Sequence, residues 1–466
     1  MCEKRIVFLI VSVKMQNPAI NVDNLTLPTS TNSIRSLRAW IVCLTASLFF
    51  FYEFIQMNMF NAISAPLMQT FHINAASLGQ LSSFYFISNV IFLFPAGMLL
   101  DRYSTRKIIL CSLGICILGI VSFALTTSIF WASLFRFLTG IGSAFCFLSV
   151  IRLASRWFPS ARLALVTGVI VTMAMLGGIA AQTPLMLLQQ MVGWRNALVI
   201  DAAVGALIFL LIFAVIADYP PIYIERHQLE QQQIKSMGYW KSMGLAFLSV
   251  QNWLGGIYTC LMNLPLSLLG GIWGILYLVG AQHLTRIDAT YITSMLFLGT
   301  VIGGPVVGWA SDKIELRRLP MLIGAIISFI LVLIVMLVPQ LSFYDLLILF
   351  LAIGLSTSTQ IIGYPAVAES SVPAITAMSV SVVSITTMGG QALFQPLFGH
   401  LIDLRAGYFS HITGYSISDF RWAMLIFPIG FLIALGAAFW LKEGSKKLQK
   451  EKDSRDVPLD NESISS

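Results

Sequence analysis

Tyr52-Glu53-Phe-Ile-Gln56-Met-Asn58-Met-Phe-Asn61 sets a carboxyl and several amides inside an otherwise apolar stretch. Glu53, Gln56 and Asn61 fall at i, i+3 and i+8, along one face of a helix. A carboxyl in that setting can bind and release a proton as its surroundings change. Arg136-Phe-Leu-Thr-Gly140-Ile-Gly142 supplies a cation in a second apolar stretch. A charge at the centre of a membrane helix costs about 2.5–3.5 kcal/mol on insertion scales, so it faces the bundle interior or a water-filled cavity. The chemistry within reach is therefore proton exchange and the holding of an anionic group. No nucleophile with its base and orienting group is visible, and no Cys or His spacing suits a metal, so neither an enzyme nor a metal or other cofactor is expected.

Other polar residues interrupt apolar runs in the same way. They are Tyr85 and Asn89, Asn263 beside Pro265, Thr357, Gln360 and Tyr364, and Gln391 with Gln395. Each alone is more often helix-packing glue than a ligand contact. As a set they describe a polar, mostly uncharged site.

Holding such groups requires long apolar elements, and the composition supplies them. The chain is 57% hydrophobic and 11% charged over 466 residues, beyond what a soluble domain needs. Twelve runs are long enough for a bilayer core of about 20 residues per helix. Their apolar stretches are continuous, which excludes the alternation of a barrel. The predicted helices are 39–67, 77–99, 107–127, 129–151, 162–187, 195–217, 252–281, 287–311, 318–338, 343–368, 373–400 and 420–441. Five of the six cysteines fall inside them and Cys2 near the start, so no disulfide is expected.

Between helices 2 and 3 stands Gly97-Met-Leu-Leu-Asp101-Arg102-Tyr-Ser-Thr-Arg106-Lys107. It returns 211 positions later as Gly308-Trp-Ala-Ser-Asp312-Lys313-Ile-Glu-Leu-Arg317-Arg318. Both copies read Gly-x-x-x-Asp-(Arg/Lys)-x-x-x-Arg-(Lys/Arg). The pattern resembles the signature loop of the major facilitator superfamily, and Arg136-x-x-x-Gly140-x-Gly142 is similar to a second motif of that superfamily. The resemblance covers residues 38 to 441. It implies an all-α membrane protein of twelve transmembrane helices in two pseudo-symmetric six-helix halves, with a site between them and alternating access across it. It also implies that the signature loops form a cytoplasmic latch. Ser371 and Pro373 fit the start of helix 11, whose free amides and dipole favour a carboxylate such as Asp101 when the inner side closes. Asp312 would meet the start of helix 5 near Pro159 in the same way, and Gly97 and Gly308 would let the neighbouring helix approach. Arg102, Arg106 and Lys313 belong to the same latch, and Glu369 is the expected partner of Lys313, Arg317 or Arg318.

The two halves are not chemically equal. Gly354 stands where Gly140 maps, but Phe350 stands where Arg136 does, so the arginine serves a task of one half. Glu53-x-x-Gln56-Met57 departs from the Glu-x-x-Glu-Arg of proton-coupled peptide carriers, which it only loosely resembles. Gly168 and Gly177 are followed by Ala181-Gln182-Thr183-Pro184 rather than the Gly-Pro of the superfamily's antiporter motif, which speaks against antiport.

Most of the 28 Lys and Arg fall in alternate loops and both tails, which predicts cytoplasmic termini. The expected divisions are a tail over 1–36, six-helix bundles over 37–217 and 251–441, a linker over 218–250 and a tail over 442–466. Tyr239 to Val250 suits a helix lying at the inner membrane interface. The run Ile6 to Val13 is too short to span, and the sequons at Asn24 and Asn461 lie on predicted inner tails. The reading is a secondary transporter of a small polar organic solute, driven by proton symport, in a bacterial inner membrane. Its partners are the solute, protons and the lipid bilayer, not nucleic acid, and it acts as a monomer. The alternatives are a uniporter of dipeptides or organic anions, or a membrane sensor or accessory subunit that does not transport.

Overall fold

The computed structural model describes residues 29–158, 160–218, 239–338, 340–371, 376–406 and 415–443, and no strand occurs among them. Residues 1–28 and 444–466 with their sequons, Ile6 to Val13 and most of the linker lie outside the described residues. Twelve crossings follow in order. In the first half α1 is Thr29–Asn58 continued by Phe60–Phe71, α2 is Ala75–Arg102 and α3 is Thr105–Leu125. Next, α4 is Ile129–Ser143 with Cys146–Trp157, α5 is Ser160–Ala180 with Thr183–Val192, and α6 is Trp194–Val215. A linker helix, Tyr239–Leu248, precedes the second half. There α7 is Val250–Met262, Pro265–Trp273 and Gly274–Gln282, α8 is Arg286–Ile314 and α9 is Arg318–Leu337. Then α10 is Phe343–Thr357, Ser358–Ile362 and Gly363–Ser370, α11 is Thr376–Ala406, and α12 is Ile417–Met424 with Ile426–Trp440. The tail side is where α1 begins and α12 ends; the opposite face is the far side.

Among the described residues eleven helices are long and apolar enough to cross a membrane. The remaining crossing, α11, has 31 residues but carries Thr386, Thr387, Gly389, Gly390, Gln391 and Gln395 in mid-span. Its polar residues mark one face as turned toward other helices, while Leu393, Leu397 and Leu404 stay exposed on another. Large apolar side chains such as Leu118, Leu207, Ile330 and Phe439 stay exposed around the bundle, as a lipid-facing surface requires.

The duplication seen in the sequence recurs in the packing. A Cβ on Gly140 of α4 would lie 2.1 Å from the Tyr85 carbonyl oxygen of α2. A Cβ on Gly354 of α10 would lie 2.2 Å from the Leu296 carbonyl oxygen of α8. Leu296 follows Tyr85 by the same 211 positions that separate the two signature loops. Each half thus packs its second and fourth helices through one glycine.

The breaks are satisfied rather than frayed, as lipid demands. Pro265 opens a π-helical stretch, Pro265–Trp273, in α7. Its freed groups are taken by Asn61 of the other half: Asn61 Nδ2 donates to the Leu269 carbonyl at 3.1 Å, and the Ile275 amide donates to Asn61 Oδ1 at 3.0 Å.

The halves join on the far side. One apolar core runs from Phe60, Ile63 and Leu78 into Trp273, Leu296 and Phe427, whereas Phe49, Leu153 and Ile212 form a separate core in the tail-side part of the first half. At Gly97 and Gly308 nothing among the described residues lies within 4 Å of a Cβ, so this side of the bundle leaves both glycines open. Both are at the tail ends of α2 and α8, away from the far-side joint.

Candidate transport site

Glu53 on α1 is 3% exposed and sits where α1, α2 and α4 meet. Its Oε1 accepts hydrogen bonds from the Tyr85 hydroxyl on α2 and from Ser143 Oγ on α4, the latter at 2.6 Å. Tyr85 and Ser143 are also 2.8 Å apart, and Asn89 Nδ2 donates to Ser143 Oγ at 2.8 Å. Glu53 Oε2 is buried with no partner.

Arg136 on α4 is fully buried. Its Nη1 donates to the Gln56 carbonyl at 2.8 Å, while Nε and Nη2 have no partner. Its guanidinium lies over two rings, 4.6 Å from the centre of Phe60 and 4.4 Å from that of Tyr85. Such contacts are worth about 2 kcal/mol when desolvated. No hydrogen bond joins Arg136 to Glu53. The two charges share a neighbour instead, because Tyr85 gives one charge its face and the other its hydroxyl.

Gln56 extends the cluster. Its Nε2 donates to Asp201 Oδ2 at 2.5 Å, and Asp201 on α6 is 7% exposed. Asp201 lies outside the motifs, yet a lone acid within the apolar run Trp194–Val215 is itself a signal of function.

Asn61 belongs to a different group. Besides α7 it donates to Gln182 Oε1 at 2.7 Å. Gln182, at the break in α5, donates to the Gly270 carbonyl at 2.8 Å and accepts from Thr293 Oγ1 at 2.9 Å. Asn61 therefore joins the halves and floors a far-side depression of about 1440 Å³, with Gln69, His72, His283 and Arg286 around it. In the sequence Gln182 stands out as a departure from an antiporter motif, and a glutamine at a helix break is the signal of this role.

The expected residues of the second half do not gather with Glu53. Asn263 is half-buried at the break in α7. Gln360 lies in the 3₁₀ turn of α10, its carbonyl accepting from Thr259 at 3.2 Å. The Tyr364 hydroxyl faces Ser384 and Thr387 of α11. Gln391 is buried with Nε2 4.0 Å from Met388 Sδ. Gln395 Nε2 reaches the Ser267 carbonyl at 3.3 Å, and its Oε1 and Trp273 Nε1 are buried without partners. The buried mid-span charges Glu53, Arg136 and Asp201 all lie in the first half, and these residues of the second half are neutral.

At the tail side the second signature loop is knit within its own half. Arg317 donates to both Glu369 oxygens, at 2.7 and 3.2 Å, and pairs with Asp312 at 2.7 Å. Of the three partners expected for Glu369, Arg317 is the one it takes. Its hydrogen bonds to Glu369, and then to Asp312, hold the guanidinium above its usual range. Asp312 is exposed and Lys313 lies over the Trp309 ring at 4.8 Å. In the first loop the Arg106 amide donates to Asp218 at 2.8 Å. The Asp101 and Arg102 side chains, Pro159 and residues 372–375 lie outside the description.

Twelve membrane helices in two repeated halves, joined on one face and carrying buried charges in mid-span, define a membrane transporter rather than an enzyme. The sequence pattern of the Major Facilitator Superfamily matches residues 45–267 and again 255–464, and the chain belongs to that family. It is 23% identical to a D-galactonate transporter of Escherichia coli O6:H1 over 57% of this chain and 67% of that one. It spans between 34% and 60% of the other curated relatives it matches. Among solved structures it resembles an inward-facing bacterial homologue of the human lysosomal transporter Spinster, with TM-score 0.68 and 18% identity over 88% of this chain and 98% of that one. It also resembles a D-xylose-proton symporter, with TM-score 0.66 and 13% identity over 87% and 98% of the two chains.

Proposed function

We propose that this chain is a proton-coupled symporter of a small polar organic solute, working by alternating access between the two halves. The observation that carries the reading is Glu53: a buried carboxyl held on one oxygen by Tyr85 and Ser143, with the other oxygen unpartnered. The proton binds at that free oxygen. Arg136, with Nε and Nη2 unmet, compensates the carboxylate through Tyr85 when the proton leaves. The solute sits between the halves, against Asn263, Gln360, Tyr364 and Gln391 and the unpartnered Gln395 Oε1. The likeness to proteins named as a galactonate transporter and a xylose-proton symporter supports a polar organic cargo and proton coupling.

The tail-side loops, with Asp101 and Asp312, close the opposite face in the other half of the cycle. Both tails face the cytoplasm of a bacterial inner membrane, and the chain acts as a monomer. Uptake into proteoliposomes with and without a pH gradient tests the reading, beside counterflow without one. Glu53→Gln abolishes gradient-driven accumulation and spares counterflow. Accumulation that persists in Glu53→Gln removes Glu53 as the coupling site, and uptake by the native chain that only equilibrates the solute, with or without the gradient, makes it a uniporter.

A further inference from the structure

The far end of α11 reads Gly399-His-Leu-Ile-Asp403, a third Gly-x-x-x-Asp in this chain and one outside both signature loops. It meets the first turn of α2. Asp403 Oδ2 accepts from the Ala76 amide at 2.8 Å, and the Tyr415 hydroxyl accepts from the Ala75 amide at 3.0 Å. Tyr415 in turn donates to Asp403 Oδ1 at 2.9 Å. Burial, and then the Asp403 carboxylate, push the Tyr415 hydroxyl above the usual tyrosine range, so it remains a donor. The other first-turn amides are met from within α2: Ser77 by the Asn74 side chain at 3.0 Å and Leu78 by the Asn74 carbonyl at 3.0 Å. Half of the helix start is thus capped from the opposite half of the protein.

Two glycines make the approach possible. A Cβ on Gly399 would lie 2.4 Å from the Ala75 carbonyl oxygen, and a Cβ on Gly79 would lie 2.6 Å from that of Gln395. We infer that Gly399-x-x-x-Asp403, with Tyr415, is a far-side latch, placed at the opposite end of the α2–α11 pair from Asp101 and acting in the opposite sense. A carboxylate at a helix start gains from the unpaired amides and the dipole together. That gain exists only while the far side is closed. The latch is also one-sided. In the related α5–α8 pair, α8 is capped by its own Thr285, and the far segment of α5, Thr183–Val192, contains no acid. There the joint is made by neutral groups, Thr183 with Thr290 at 2.9 Å and Gln182 with Thr293. The α2–α11 seam therefore carries the ionic share of far-side closure.

The inference rests on the alternating-access reading, and its test needs no solute. Hydrogen–deuterium exchange is followed on the purified full chain in detergent, for the native protein, Asp403→Ala, Asp403→Asn, Tyr415→Phe and Gly399→Leu. A latch of this strength predicts about three- to tenfold faster exchange in Asp403→Ala and Gly399→Leu. The rise should cover the start of α2 and also the far ends of α1 and α7, while tail-side helix ends gain protection. Asp403→Asn and Tyr415→Phe, which keep part of the cap, should shift less in the same direction and decide the matter if the larger changes do not fold. Faster exchange confined to residues 75–78, or none, reduces the contact to a local cap and overturns the latch. Gln182→Leu is the control for the parent reading: a shift there without one at Asp403 sinks the latch alone, and no shift in any variant sinks the rocking of the halves as well.

Discussion

The Arg136 guanidinium lies 4.4 Å from the centre of the Tyr85 ring, whose hydroxyl donates to Glu53. One tyrosine therefore serves a cation with its face and a carboxylate with its edge, and neither charge needs to touch the other. Separating the two functions is straightforward. Tyr85→Phe keeps the face and removes the donor, leaving a buried carboxylate short of one hydrogen bond, a loss of about 1–3 kcal/mol. Tyr85→Leu removes the face as well and should cost up to about 2 kcal/mol more. Thermal unfolding in detergent should rank the native protein above Tyr85→Phe and that above Tyr85→Leu. Equal stability of the two variants would mean that the ring face contributes nothing.

Asn61 and Gln182 should govern the far-side joint. Asn61→Leu strips three hydrogen bonds, to Gln182, Leu269 and Ile275, two of them to the backbone of the π-helical region of α7. Interhelical bonds in membranes average about 0.6 kcal/mol and reach about 1.7. The change should therefore move a balanced two-state equilibrium several-fold toward far-side opening. Distances between spin labels on the far ends of α1 and α7 should lengthen. Gln182→Leu should do the same, and the double variant should fall short of the sum, because the two amides share a bond.

The sequence made the crossings, the duplication and the buried charges legible, because each rests on depth and period. Glu53 and Arg136 had to face inward, whatever their neighbours. Which neighbour each would meet depends on the rotation of one helix about its axis against two others, and no spacing within a single helix carries that. The packing put Tyr85 between Glu53 and Arg136, which the spacing within α1 or α4 could not show. Asn61 shares a helical face with Glu53, yet the break at Met59 and the π-helical stretch of α7 turn it to another task. Asp101 and its latch rest on resemblance alone, whereas the Arg317–Glu369 pair was open to reading because a lone acid faced three nearby bases.

That pair gives a prediction with a definite sign. The folded state holds Arg317 above its usual range, so the stabilisation is fully present below the unfolded value and is lost only as pH climbs through the still higher folded one. Both lie above the working range of any transporter, so the arginine contributes no pH dependence near neutrality. Glu369→Gln should lower the unfolding temperature by an amount that does not change as pH rises from neutral to mildly alkaline. It should shrink with added salt, because the side chains remain 13% and 24% exposed. A marked dependence on pH in that range would assign the contact to some other titrating group.

Asp201 offers the sharpest separation of structure from coupling. It meets Gln56 one turn along α1 from Glu53, and the Gln56 carbonyl holds Arg136, so both acids bear on the same turn of helix. If Asp201 only anchors Gln56, then Asp201→Asn keeps an acceptor in place and should leave gradient-driven uptake intact, at a stability cost of about 1–3 kcal/mol. If Asp201 shares the proton load with Glu53, Asp201→Asn should halve the number of protons moved per solute, read from the solute gradient that balances a known pH gradient. Gln56→Leu distinguishes the routes further. It severs Asp201 from α1 while leaving the Gln56 carbonyl available to Arg136, so it should reproduce the Asp201→Asn stoichiometry only if the two acids communicate through that side chain. An unaltered proton ratio in both variants, with Glu53→Gln uncoupled, would leave Glu53 as the site of coupling and Asp201 as its support.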